Sequence, residues 1–139
     1  MPAFSPDGKH VAVASRHTEN IGIFLVGVDG KEVRQLKTEE PCCTPCWSKD
    51  GKKLLCQTVQ GHIHQVGADG KNWEQVTFGA DVQHDARYSP DETMILFCRA
   101  PEAAGPWQIC VKRVDGDEDE FVPLTKDGSN LLPDWYAEE

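Results

Sequence analysis

Short apolar runs alternate with polar turn residues along the whole chain. The clearest runs are KHVAVAS, KKLLCQT and TMILFCRA, which begin at Lys9, Lys52 and Thr93. Runs of this length, bounded by Gly, Pro, Asn and Asp, predict β-strands rather than helices. Twelve Gly and nine Pro fit frequent turns between such strands. The pattern therefore predicts an all-β fold of short strands.

A recurring phrase precedes each of these strands. It reads PAFSPDG from Pro2, PCWSKDG from Pro45, ARYSPDE from Ala86 and, in a degraded copy, PDWYAEE from Pro133. Its aromatic residue recurs at spacings of 43, 41 and 47, at Phe4, Trp47, Tyr88 and Trp135. A period of this length indicates a propeller or a solenoid.

Two further apolar runs follow in each unit. The first ends on an Asp-Gly pair whose glycine is Gly30, Gly70 or Gly116, and the second reads EVRQLKT, WEQVTF or EFVPLTK. Asp-Gly is a hairpin signal because glycine tolerates a positive φ. Each unit thus has four strands. We predict one domain over residues 1–139, with units 2–44, 45–85 and 86–132 and a C-terminal strand 133–139.

The combination of these motifs resembles the TolB-type (WD40-like) β-propeller repeat over nearly the whole chain. The resemblance implies three four-stranded antiparallel blades. In this arrangement the aromatic residue fills the space between neighbouring sheets, and the Ser-Pro-Asp-Gly segment makes a tight turn. Glu92 replaces the glycine of that turn in the third unit, which predicts backbone strain there.

Three blades do not close a propeller, which typically has four to eight. Either the sequence is a piece of a longer chain, or two copies form a six-bladed ring. We favour a homodimer, because repeat arrays without caps expose apolar faces. The C-terminal phrase is then expected to reach the partner. The predicted assembly residues are Phe4, Pro133, Trp135 and Tyr136.

The formal net charge of −9 disfavours nucleic acid and anionic membranes as partners. Part of that charge lies in an acidic run, 115–120, which we interpret as a solvated hairpin tip. The N-terminal sequence lacks signal-peptide features, and no apolar stretch reaches membrane-spanning length. We expect a cytoplasmic protein, or a periplasmic one if the chain belongs to a longer secreted protein.

The chain has six cysteines. Cys56, Cys98 and Cys110 lie in apolar runs and are expected in the core as free thiols. Cys43 and Cys46 form one CxxC, but a structural zinc site needs a second pair, so no metal or cofactor is predicted. His62 and His64 alternate along one strand, and the register of His64 favours a packed ring over a metal ligand.

The entry to the innermost strands is the usual ligand position in a propeller. By alignment, Gln83, His84 and Asp85 correspond to Cys42, Cys43 and Thr44 and then to 130–132. A His beside a carboxylate can act as ligand, base or hydrogen-bond partner, or can simply cap the strand. Arg87 either binds an acidic ligand or forms an ion pair with Asp85 or Asp81. The predicted ligand-binding residues are Gln83, His84, Asp85, Arg87 and Cys43.

The resemblance indicates the fold more strongly than the function, since such propellers serve many roles. We predict a non-catalytic binding or scaffolding module that self-assembles into a closed propeller and acts on a protein, a peptide or a small polar ligand. Two enzyme-associated alternatives remain. One is an oligogalacturonate-lyase-like protein, although only His84 lies where that family has metal-binding histidines, with Val82 two residues before it. The other is the propeller of a prolyl-oligopeptidase-type peptidase, although the chain has no Gly-x-Ser-x-Gly elbow.

Overall fold

The computed structural model describes residues 2–16, 21–117 and 120–136 and contains three four-stranded antiparallel sheets. Blade 1 has β1 (Ala3–Phe4), β2 (His10–Ser15), β3 (Gly22–Gly27) and β4 (Val33–Gln35). Blade 2 has β5 (Cys42–Trp47), β6 (Lys53–Thr58), β7 (Ile63–Gly67) and β8 (Glu74–Gln75). Blade 3 has β9 (Val82–Tyr88), β10 (Met94–Ala100), β11 (Gln108–Arg113) and β12 (Val122–Pro123). Within these residues no helix is long and apolar enough to cross a membrane.

Each sheet is a simple meander in which every strand pairs with its neighbour along the chain. The predicted all-β propeller architecture is therefore confirmed. The innermost strands β5 and β9 begin at Cys42 and Val82, so the expected unit limits at 45 and 86 fall inside them. The connections 36–41 and 76–81 separate the blades instead.

Two hydrophobic cores lie between the blades. The core between blades 1 and 2 contains Leu25, Leu54 and Val66, with Trp47 packed against it. The core between blades 2 and 3 contains Leu55, Ile95 and Phe97, with Tyr88 packed against it. The repeated aromatic thus fills the space between sheets, as predicted. Phe4 is 70% exposed, because no further blade among the described residues packs against it.

The turn after each aromatic is built by the same side chains in every blade. Ser48 Oγ donates to Asp50 Oδ1 at 2.8 Å, and Asp50 Oδ1 also accepts from Lys52 N at 2.9 Å. Gly51 follows with φ +70°. In blade 3 the same position is Glu92, which adopts φ +59° without being glycine, so the expected backbone strain is present. The Glu92 carboxylate accepts a hydrogen bond from Lys49 N in blade 2.

The three outer hairpins are not equivalent. Gly30 and Gly70 have positive φ, at 73° and 80°, as the Asp-Gly signal predicts. The third hairpin differs, because Gly116 is not among the positive-φ glycines and Asp115 forms an ion pair with Arg113 at 3.0 Å. Two members of the acidic run, 118 and 119, lie outside the described residues.

The C-terminal phrase does not form a strand within this chain over its described part. Residues 133–136 have no strand assignment, and 137–139 lie outside the described residues. Trp135 instead lies against its own blade 3, where its Nε1 donates to Arg87 O at 3.3 Å. The predicted strand and its contact with a partner remain a hypothesis about the assembled state.

Candidate functional site

The predicted site residues lie on two adjacent innermost strands, β5 and β9. Cys43 is on β5, whereas Gln83, His84, Asp85 and Arg87 follow one another on β9. They do not point to one place, because a β-bulge divides each strand. The pairing with the second strand slips between Cys43 and Cys46 in blade 2, and at the corresponding place in blade 3.

The extra residue of the bulge has a left-handed backbone in both strands, with φ +49° at Thr44 and φ +54° at Asp85. Leu132 stands at the same repeat position outside any strand and has φ +57°. This region is uncommon for residues other than glycine and re-aims the side chain relative to a regular strand. The Thr44 hydroxyl is buried without a hydrogen-bond partner. The left-handed residue is thus a repeated feature of this position.

His84, Asp85 and Cys98 form a compact cluster on the face of blade 3 that is turned away from blade 2. Cys98 lies directly opposite His84 in the register of β9 and β10. His84 Nδ1 and Asp85 Oδ2 are 2.9 Å apart. One ligand atom from each of the three residues lies within 4.8 Å of the others. The described residues contain no other such group of three or more His, Cys, Asp or Glu.

The cluster has strong electrostatic coupling. Burial opposes protonation of the imidazole, but hydrogen bonds to Asp85 and Cys98 outweigh it and raise the pKa of His84 to about 9. The hydrogen bond from His84 in turn lowers the pKa of Asp85. The pair is therefore an imidazolium and a carboxylate at neutral pH. Their side chains are 17% and 12% exposed, so solvent reaches both only partly.

Two neighbours fix the cluster in place. The Trp107 ring lies against His84, with centroids 4.0 Å apart and planes tilted by 55°. Cys98 Sγ donates to Asn130 O at 3.8 Å. The apolar run around Cys98 predicts a core position, and the residue is indeed 0% exposed. Its position opposite His84 has no signal in the sequence, because it depends on the strand register.

Gln83 serves the protein interior rather than this cluster. It is 1% exposed, and its Oε1 accepts from Thr77 Oγ1 at 3.0 Å. His62 Nδ1 also lies 3.0 Å from Gln83 Oε1. These contacts tie β9 to blade 2 and use the amide oxygen fully.

Arg87 lies beyond the bulge and does not pair with either predicted carboxylate. Its Nη1 donates to Ala86 O at 2.9 Å. Asp81 pairs with Arg99 at 2.6 Å, whereas Asp85 pairs with His84. Arg87 instead lines a separate cavity of about 340 Å³ together with residues that include Phe4, Trp47 and Lys49. Arg87 and the His84–Asp85 pair thus belong to two separate places on the protein.

The remaining thiols and imidazoles do not converge on a site among the described residues. Burial raises the pKa of both Cys43 and Cys46, so both remain thiols at neutral pH. His64 stacks on Trp73 with centroids 4.6 Å apart, which confirms a packed ring. His62 and His64 therefore have different partners. All six cysteines are free.

Comparison with known proteins supports the propeller assignment. TolB from Acinetobacter baumannii is 24% identical, with a TM-score of 0.72, over 92% of this chain and 32% of its own. A putative TolB from Agrobacterium tumefaciens is 26% identical, with a TM-score of 0.74, over 89% of this chain and 45% of its own. An oligogalacturonate lyase from Vibrio parahaemolyticus, at 11% identity and a TM-score of 0.69, covers 90% of this chain and 38% of its own.

The chain spans less than half the length of these structures. No curated protein matches it significantly. The profile of the TolB beta propeller domain matches residues 1–135, which include all three blades. The chain therefore belongs to the TolB beta propeller domain family.

Proposed function

We propose that the chain is a non-catalytic binding module whose three blades are completed by a second copy to give a six-bladed propeller. The observation that carries this proposal is the position of Trp135. Its indole occupies the place, relative to blade 3, that the indole of Trp47 occupies relative to blade 1. Trp135 thus lies where the first aromatic of a following blade belongs.

The two indoles make the same hydrogen bond. Trp47 Nε1 donates to Ala3 O at 3.0 Å, and Trp135 Nε1 donates to Arg87 O at 3.3 Å. Ala3 and Arg87 both directly precede the repeated aromatic of their blade. Leu132, which precedes Pro133, shares the left-handed backbone of the bulge residues Thr44 and Asp85. Residues 132–135 therefore follow the path of an innermost strand.

The two ends of the arc carry exposed apolar side chains. Phe4 and Val33 of blade 1 are 70% and 62% exposed. On the other side, Leu132 and Tyr136 are 62% and 86% exposed. A two-fold dimer brings the free face of blade 3 against the free face of the partner's blade 1, and does so twice. A second copy of this chain is thus a blade of the right repeat type for each open face.

Trp135 and the partner's Phe4 are both the repeated aromatic of the unit. In such a ring the two side chains therefore compete for the same position. We assign that position to Trp135, which is already bonded to blade 3. The competing strand β1 pairs with β2 at only two positions, Ala3 with Ala12 and Phe4 with Val11. The C-terminal segment then completes the partner's sheet by exchange.

The binding role rests on the channel entrance, where His84 and Asp85 present opposite charges beside the Trp107 ring. Such a combination suits a polar peptide or small ligand that both donates and accepts hydrogen bonds. Protein partners are the wider class to which this role belongs. The six free thiols favour a reducing compartment such as the cytoplasm.

The lyase alternative has one favourable observation, the cluster of His84 and Asp85 on the innermost strand β9 with Cys98 on β10. The likeness to the lyase structure concerns the fold alone. Val82 supplies no metal-binding atom in the position two residues before His84. A peptidase role requires a hydrolase domain outside this sequence. We therefore rank both enzyme-associated roles below a binding module.

The experiment compares dimer dissociation constants, measured by sedimentation, for Trp135→Ala and Trp73→Ala. We expect Trp135→Ala to raise the constant about 30-fold, the effect of losing an interfacial tryptophan hot spot. Trp73 stacks on His64 within blade 2 and serves as the matched control, since it also loses an indole. Deleting 133–139 should likewise weaken association while leaving the strand signal in circular dichroism. Equal constants for wild type and Trp135→Ala would contradict the exchange.

A further inference from the structure

The sheet geometry brings the same three positions together in successive blades. These are an innermost-strand residue, the residue directly opposite it on the second strand, and the bulge residue that follows the first. In blade 2 they are Cys43, Gln57 and Thr44. In blade 3 they are His84, Cys98 and Asp85. Only the blade 3 set combines an imidazole, a thiol and a carboxylate.

We propose that His84, Asp85 and Cys98 bind a divalent zinc ion. Their ligand atoms lie within 4.8 Å of one another. Zinc bonds of about 2.0–2.3 Å to nitrogen, oxygen and sulfur place ligand atoms of a tetrahedral site about 3–4 Å apart, so only small side-chain adjustments are needed. Three protein ligands leave the fourth tetrahedral position open to a further ligand.

The donor set selects the metal. A thiolate with an imidazole suits zinc and its soft neighbours, whereas magnesium, calcium and manganese favour all-oxygen surroundings. Cys98 is 0% exposed and lies opposite His84 by strand pairing, so its sulfur is held in place by the sheet itself. The relative positions of His84 and Cys98 are therefore fixed by strand pairing and do not depend on mobile surface side chains.

The surroundings also orient the ligands. The Trp107 ring packs at 4.0 Å from the His84 ring, which restricts the rotation of the imidazole. The left-handed backbone of Asp85, with φ +54°, brings its carboxylate to the side of His84, where Oδ2 lies 2.9 Å from Nδ1. The Trp107 contact thus supports the imidazole from outside the ligand set, whereas the Asp85 contact shows that two ligands already lie side by side. Zinc replaces the proton shared by this pair and the proton of the thiol on binding.

The zinc site uses the same residues as the proposed binding role and rests on that role. With zinc bound, a ligand is recognised through the open metal position in place of the charged His84–Asp85 pair. It does not require ring closure, because all three ligands belong to one chain. Failure of metal binding would leave the dimer untouched, and failure of dimerisation would leave metal binding measurable.

Cobalt(II) is the probe for the test, because a thiolate bound to cobalt gives a charge-transfer band in the near ultraviolet. We expect one equivalent of cobalt to produce this band in reduced wild-type protein and one equivalent of zinc to remove it. Cys98→Ser should abolish the band, and Asp85→Asn should weaken cobalt affinity by at least about 10-fold. Circular dichroism and thermal unfolding establish that each variant is folded.

Cys110→Ser is the matched control. Cys110 is as buried as Cys98 and lies in the same blade, but it faces the core shared with blade 2. This variant should keep the band and the wild-type cobalt affinity. Absence of a stoichiometric band in the wild type would overturn the proposal, as would a band that persists in folded Cys98→Ser or disappears in folded Cys110→Ser.

Discussion

Two histidines of this chain show how local surroundings set a charge. His84 has a carboxylate as hydrogen-bond partner and remains protonated at neutral pH, with a pKa raised to about 9 despite burial. His64 is packed against Trp73 and its Nδ1 is buried without a partner. Burial therefore lowers the pKa of His64, against the opposing effect of the Glu40 carboxylate. The His84 ring is therefore charged at neutral pH, whereas burial favours the neutral form of the His64 ring.

The lowered pKa of His64 predicts a loss of stability in mild acid. Above the ordinary value of 6.5 the ring is neutral in both states, so its contribution is complete. As the pH falls from 6.5 through the lower folded-state pKa, the unfolded chain takes up the proton first and the free energy of unfolding decreases. Urea unfolding over this pH range should show a smaller decrease in His64→Phe than in wild type. Identical pH dependence in the two proteins would contradict this assignment.

Among individual residues, the sequence predicted His84 and Asp85 as neighbours in a candidate site but did not predict Cys98 as the third member. Adjacent residues are visible in a sequence, whereas the pairing of His84 with Cys98 depends on a strand register that includes a bulge. The pattern of apolar residues correctly assigned Cys98 to the interior. It carried no information on which polar side chain the thiol would meet there.

The strand-turn unit of each blade is the element that the sequence predicted best. Asp50 accepts hydrogen bonds from Ser48 Oγ and Lys52 N in the turn before β6. The Lys52 N–H and the Ser48 hydroxyl lower the pKa of Asp50, so the ionised carboxylate holds the turn. The Ser-x-Asp-Gly motif therefore predicts this turn and its hydrogen bonds directly from the sequence.

Asp50→Ala should therefore destabilise the fold, and Asp50→Asn should do so less, because the amide oxygen can still accept both hydrogen bonds. The measurement is the urea midpoint of each variant at neutral pH. The urea midpoint is expected to be highest for the wild type, lower for Asp50→Asn and lowest for Asp50→Ala. If the Ala variant matches the wild type, the turn does not depend on this side chain.

The bulge in the innermost strands is an element that no sequence signal announced. Its left-handed residues are Thr44 in β5 and Asp85 in β9, and neither is glycine. Asp adopts this conformation more readily than Thr, so residue type gives no common rule. The two bulges fall at the same repeat position, which only the strand register reveals.

The whole molecule is an arc of three blades with two different ends. Blade 1 ends in exposed Phe4, whereas blade 3 ends in the C-terminal segment with Trp135 held at Arg87 O. The sequence predicted the number of blades and their open ends. The predicted contact of the C-terminal phrase with a partner stays a prediction, while Trp135 lies against its own blade 3. The repeated hydrogen bond of the indoles puts the segment on the path of the next innermost strand.

The mass of the protein in solution tests ring closure by a second copy most directly. We predict that sedimentation equilibrium at micromolar concentration gives twice the mass of the chain, with no larger species, because a two-fold ring of six blades has no open face left. A stable monomer under these conditions would contradict the account, and so would open-ended association that grows with concentration.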